Sequence, residues 1–142
     1  MCYGILVAER KMRGHEMSTM STSSILRLLL RGGLPYNVYP VTNGEEAAEF
    51  AMCNSNKVHM VFIDIYHNDA VSVETLFALR NIGCRIPAIA VMGFGVSMDE
   101  VRDGGFCACL VKPLFFYSWE FIQVARMGPN FLVKWMMINQ AV

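Results

Sequence analysis

The residues best placed for chemistry are charged side chains that end apolar runs. Val58-His59-Met60-Val61-Phe62-Ile63 leads directly into Asp64, the run at 3–8 is followed by Glu9 and Arg10, and the run at 106–111 is followed by Lys112. Short runs rich in β-branched and aromatic residues read as strands buried on both faces. Each charge then stands at a strand's carboxyl end, where open α/β sheets place their chemistry. In a sheet of order 2-1-3-4-5, the first and third strands are neighbours, and Glu9, Asp64 and Lys112 converge at the switch point. Other candidates carry less. Cys107 and Cys109 form a C-x-C pair, but two residues apart on one strand means one face, with no Cys or His cluster nearby to complete a ligand set, so core packing is expected. His67 lacks a partner acid and reads as polar surface, as do His15 and His59.

The elements that must position these charges follow from periodicity. After the first strand, residues 11–24 are polar and read as a long loop or frayed helix start, with a serine at its end capping a helix over 25–30 that Gly32-Gly33 stops. Residues 36–41 make a second strand. Pro40 confines it to a sheet edge. Asn43-Gly44 followed by Glu45 and Glu46 opens a helix over 45–52. After the central strand comes a polar loop at 66–70, then a helix over 71–81 ended by Gly83. A fourth strand at 87–92, a short helix at 97–103, a fifth strand at 106–111 and a helix around Trp119–Ala125 complete the alternation. Five apolar strands alternating with helices predict an α/β fold: a doubly wound, five-stranded parallel sheet.

The 142 residues fit one domain, with 54% apolar and 17% charged residues marking a packed globular chain. We divide it into a domain at 1–128 and a tail or linker at 129–142, whose Phe131, Leu132, Trp135, Met136 and Ile138 either pack back or form an exposed apolar strip. A formal net charge of zero and scattered basic residues argue against nucleic-acid contact. No run is long enough to span a bilayer, and the start lacks a secretory n-region, so an intracellular setting, cytoplasm or nucleus, is expected. The cysteine number, five, is odd, as suits reduced thiols.

Four blocks, in order and at the right approximate spacing, resemble the receiver domain of two-component response regulators. They are Ile5-Leu6-Val7-Ala8-Glu9-Arg10, Val61-Phe62-Ile63-Asp64, Pro87-Ala88-Ile89-Ala90-Val91-Met92 and Leu110-Val111-Lys112-Pro113-Leu114. The resemblance covers roughly 2–127 and is closest to plant-like response regulators and pseudo-response regulators. It implies a flavodoxin-like receiver fold, with Asp64 at the phosphoacceptor position and Lys112 at the family's lysine position.

The same resemblance shows where this chain departs. Glu9 and Arg10 fall on the acidic pair that holds magnesium, and a guanidinium there would repel the cation and could pair with Asp64 in its place. Met92 falls on the switch hydroxyl and Cys109 on the aromatic that swings with it; neither side chain can play that part. The expectation is therefore a degenerate receiver, or pseudo-receiver: not an enzyme, but a signalling module that binds proteins without normal phosphorylation and needs no cofactor. The alternative is an active receiver that takes a phosphoryl group on Asp64 from a histidine phosphotransfer protein in a phosphorelay. Magnesium would then be needed, on Glu9, Asp64 and the Tyr66 carbonyl. Expected partners are signalling proteins (a histidine phosphotransfer protein, kinase or output domain), with neither nucleic acid nor membrane. The family's usual interaction surface, formed by 97–103, 106–111 and the last helix, carries Phe115, Phe116, Tyr117 and Trp119 and admits a homodimer. A flavodoxin-like cofactor binder or enzyme is disfavoured, since no Gly-rich phosphate loop follows Ala8.

Overall fold

The computed structural model describes residues 2–9, 21–31, 35–65, 71–93, 101, 104–112 and 118–138. Its elements are β1 (Tyr3–Ala8), α1 (Thr22–Leu30), β2 (Tyr36–Val41), α2 (Gly44–Cys53), β3 (Val58–Ile65), α3 (Val71–Asn81), β4 (Ala88–Met92), β5 (Ala108–Val111), α4 (Ser118–Ala125) and α5 (Pro129–Ile138). The five strands form one parallel sheet in the order β2-β1-β3-β4-β5, as the alternation predicts. Pro40 lies on edge strand β2, where its missing N–H breaks no ladder.

Alternation along the strands divides the core between two faces. Ile5, Val7, Met60, Phe62, Ile89, Val91 and Leu110 pack with Leu26 of α1, Phe121 of α4 and Leu132 and Met136 of α5. Leu6, Ala8, Val61, Ile63 and Ala88 face the other way, against Ala47 and Ala51 of α2 and Leu76 and Leu79 of α3. Burial on both sides explains why the strands read as continuous apolar runs. The tail contributes helix α5, which packs on α4 and β5 and sets Trp135 edge-on to Phe121 with ring centroids 6.1 Å apart.

The caps place the helices. Asn43 accepts from the Glu46 N–H at 2.8 Å to start α2, while Gly83, at φ +83°, follows α3 in a conformation that favours glycine. Ser21 is the N-cap of α1 and accepts from the Ser24 N–H at 3.2 Å. The helix thus begins at Thr22, earlier than the apolar spacing from Ile25 indicates, because hydroxyl residues occupy its whole first turn. Strand β4 begins one residue later than expected, at Ala88, and β5 begins at Ala108 instead of 106. Cys107 therefore precedes the strand and packs beside the Leu110 cluster, while Cys109 packs with Met92, so the pair does not share a face.

The register between β1 and β3 slips once, pairing Gly4 with Val58 but Ile5 with Met60. His59 is the extra residue, and its Nδ1 accepts from the Gly4 N–H at 3.1 Å. The strands come so close here that a Cβ on Gly4 would collide with the Lys57 carbonyl oxygen. Only glycine fits.

Candidate functional site

The carboxyl ends of β1, β3, β4 and β5 stay tied by backbone bonds one residue past the strands: Glu9 N–H to Val41 O at 3.0 Å, Gly93 N–H to Ile65 O at 3.1 Å and Lys112 N–H to Met92 O at 3.1 Å. These bonds hold the backbone of Glu9 and Lys112, while β3 itself carries Asp64. Asp64 is only 5% exposed, a position that a carboxylate tolerates only with strong partners. Lys112 Nζ lies 3.3 Å from its Oδ2, and the Thr22 hydroxyl donates to its Oδ1 at 2.6 Å. Glu9 is held in parallel fashion, accepting from the Ser23 hydroxyl at 2.5 Å and from the Ser23 N–H at 3.3 Å.

The structure therefore brings Asp64 and Lys112 into contact and joins Glu9 to them through adjacent residues of α1. Thr22 and Ser23 are site residues that the periodicity does not reveal, because the sequence reads them as the end of a polar loop. Their signal is Ser21-Thr22-Ser23-Ser24 just before an apolar helix. In a βα unit the helix N-terminus lies beside the strand's carboxyl end, so first-turn hydroxyls there face strand-end carboxylates. Both are buried, and among the described residues every buried side-chain nitrogen or oxygen has a partner.

Met92 and Cys109 meet in one apolar cluster with Ile65, Ala90 and Val101. Met92 pairs with Ile65 along the ladder, next to the residue pair that includes Asp64. Among the described residues no group of three or more His, Cys, Asp or Glu side chains could hold a metal ion. Arg10, the Tyr66 carbonyl, His15, His67, the loop at 11–20, Gly32-Gly33, the helix at 97–103 apart from Val101, and Phe115, Phe116 and Tyr117 lie outside the described residues. Trp119, on α4, is 74% exposed. No described helix is long and apolar enough to cross a membrane.

No protein-family model matches the chain, and no curated protein does. Solved structures do. The receiver domain of a modulated diguanylate cyclase from Desulfovibrio desulfuricans is 25% identical, with 89% of this chain and 98% of that one covered at a TM-score of 0.56. A response regulator receiver domain from Clostridium thermocellum is 17% identical over 96% and 98% of the two chains, with a TM-score of 0.62. A Francisella response regulator receiver domain is 19% identical over 93% and 97%, with a TM-score of 0.59. Strand order and these likenesses agree: the chain has the flavodoxin-like fold of response-regulator receiver domains.

Proposed function

We propose that this is a pseudo-receiver, a signalling module of the two-component type that binds partner proteins without cycling a phosphoryl group. The observation that carries the reading is the closure of Asp64: the carboxylate is buried and the Thr22 hydroxyl of α1 donates to one of its oxygens. A nucleophilic carboxylate needs an approachable oxygen and a cation beside it to neutralise the incoming phosphoryl group. Here helix α1 supplies neutral hydroxyls, to Asp64 through Thr22 and to Glu9 through Ser23.

The donor set does not suit magnesium, which requires a near-octahedral shell of oxygens. Both available carboxylates are committed to protein donors, and the second acidic position is an arginine, Arg10. We therefore assign no cofactor and no enzymatic step. The reporting path is altered as well: Met92 stands at the switch position without a hydroxyl, and Cys109, at the aromatic position, packs against the same apolar cluster. Conformation is then set by sequence and partner. The exposed Trp119 on α4 suits a kinase, phosphotransfer or output protein as that partner.

The active alternative draws on one observation, the Asp64–Lys112 pair at 3.3 Å, which is the geometry a phosphoacceptor and its lysine require. A small phosphodonor with magnesium separates the two readings. No mass adduct is expected; a stoichiometric adduct that Asp64→Asn abolishes contradicts the proposal.

A further inference from the structure

We propose that the cavity at the free edge of β2 binds a small organic oxyanion, a carboxylate or phosphate monoester carried on a planar ring. The cavity has a volume of about 470 Å³, within the range of small-molecule sites, and lies where the end of α1 overhangs the edge strand. Arg27 and Arg31 line it with Tyr36, Asn37 and Tyr39, and no acidic side chain lines it among the described residues.

Arg27 is fixed in place. Its Nη2 donates to the Val38 carbonyl at 3.1 Å. That carbonyl faces outward, because Pro35 and Val41 turn theirs inward to Tyr3 and Glu9 of β1 and the backbone alternates with a period of two. The bond uses one of the five N–H donors of the guanidinium. It also occupies one outward-facing acceptor of the sheet edge. With the Val38 carbonyl taken and no N–H on Pro40, an added peptide strand has poor purchase, so the occupant is a small molecule and not a β-strand partner.

Arg31 stands four residues further on, past the last turn. A cation at a helix carboxyl end complements the macrodipole, which accounts for one arginine there but not for a second beside a cavity. Two like charges four apart repel. An oxyanion between them relieves the repulsion and offers each guanidinium the bidentate geometry it prefers. Tyr36, on the same face of the sheet as α1, lines the cavity and offers it a flat ring, while the Tyr39 ring packs against Phe50 on the other face. The Tyr36 hydroxyl, neutral near pH 7 as any phenol is, donates to the Ala125 carbonyl and does not oppose an anion. The site is independent of any chemistry at Asp64.

The test titrates the 15N-labelled 142-residue chain with inorganic phosphate, phenyl phosphate and benzoate at constant ionic strength, with sodium chloride as control. The expected result is a saturable set of amide shifts confined to the segments around 27–31 and 36–39. Phenyl phosphate or benzoate should bind at least 5-fold more tightly than inorganic phosphate, and Arg31→Gln should weaken binding at least 5-fold while leaving the remaining spectrum unchanged. Which of the two ring-bearing anions binds more tightly assigns phosphate or carboxylate. Shifts that do not saturate, that chloride reproduces, or that survive Arg31→Gln undiminished overturn the proposal.

Discussion

The two ends of the sheet are built on opposite terms. At the carboxyl end, the buried Thr22 and Ser23 hydroxyls hold the carboxylates of Asp64 and Glu9, with Lys112 at the margin. At the amino end, the order comes from close approach and aromatic contact. Gly4 fits under the Lys57 carbonyl, His59 stands edge-on to Tyr3 with ring centroids 5.3 Å apart, Tyr3 lies 5.5 Å from Tyr36, and the Tyr36 hydroxyl donates to the Ala125 carbonyl at 2.8 Å. The carboxyl end keeps the charges that chemistry requires but occupies them with internal partners. The amino end uses a polar side chain, His59, in place of a ladder acceptor at the slip between β1 and β3. Polar groups at one end join side chain to side chain; at the other a side chain completes a backbone ladder.

That contrast predicts unequal responses to substitution. The largest belongs to the amino end. Gly4→Ala drives a Cβ into backbone that cannot swing aside, so β1 must separate from β3, and urea unfolding should show a loss of about 3 kcal/mol or more. A loss below about 1 kcal/mol would mean that the close approach there is not real. The carboxyl end should respond more mildly, since its bonds join side chains. Thr22→Val removes a hydrogen bond to a buried charged group, with an expected cost of about 1.5–3 kcal/mol and amide shifts spreading from α1 to Asp64 and Lys112. A neutral result would detach α1 from the site.

The smallest effect is in the alkaline limb of stability. Burial, then the neighbouring Tyr3, raises the Tyr36 hydroxyl from 10.0 to about 12. The folded state keeps a proton that the unfolded chain has lost, so this contribution is complete below pH 10 and disappears as pH rises through about 12. The side chain keeps partial contact with solvent, which screens the effect. Tyr36→Phe should flatten the fall in unfolding midpoint between about pH 10 and 12, with only a small change at pH 7.

Much of the fold was legible because both faces of the sheet are covered, so each strand is a continuous apolar run and Pro40 marks the edge. Asp64, Glu9 and Lys112 were legible for the same reason: each ends such a run. Thr22 and Ser23 were not, because a hydroxyl in a polar stretch looks the same whether it caps a helix, meets water or grips a carboxylate; only the three-dimensional return of α1 to the strand ends separates these. The slip at Gly4 and His59 was hidden too, since the continuous apolar pattern of β3 does not fix which of its residues lies opposite Gly4. Cys107 and Cys109 part company because β5 starts two residues later than its apolar run, and alternation applies only inside the strand.

Phosphorylation of Asp64 tests the central claim most directly. The 142-residue chain and its Asp64→Asn variant are incubated with a small phosphodonor and magnesium beside an active receiver domain as positive control, and intact masses are followed over time. The closed site predicts that the wild type gains no adduct under conditions that label the control fully. A stoichiometric adduct in the wild type, lost in Asp64→Asn, would contradict it and restore Asp64 as a working phosphoacceptor.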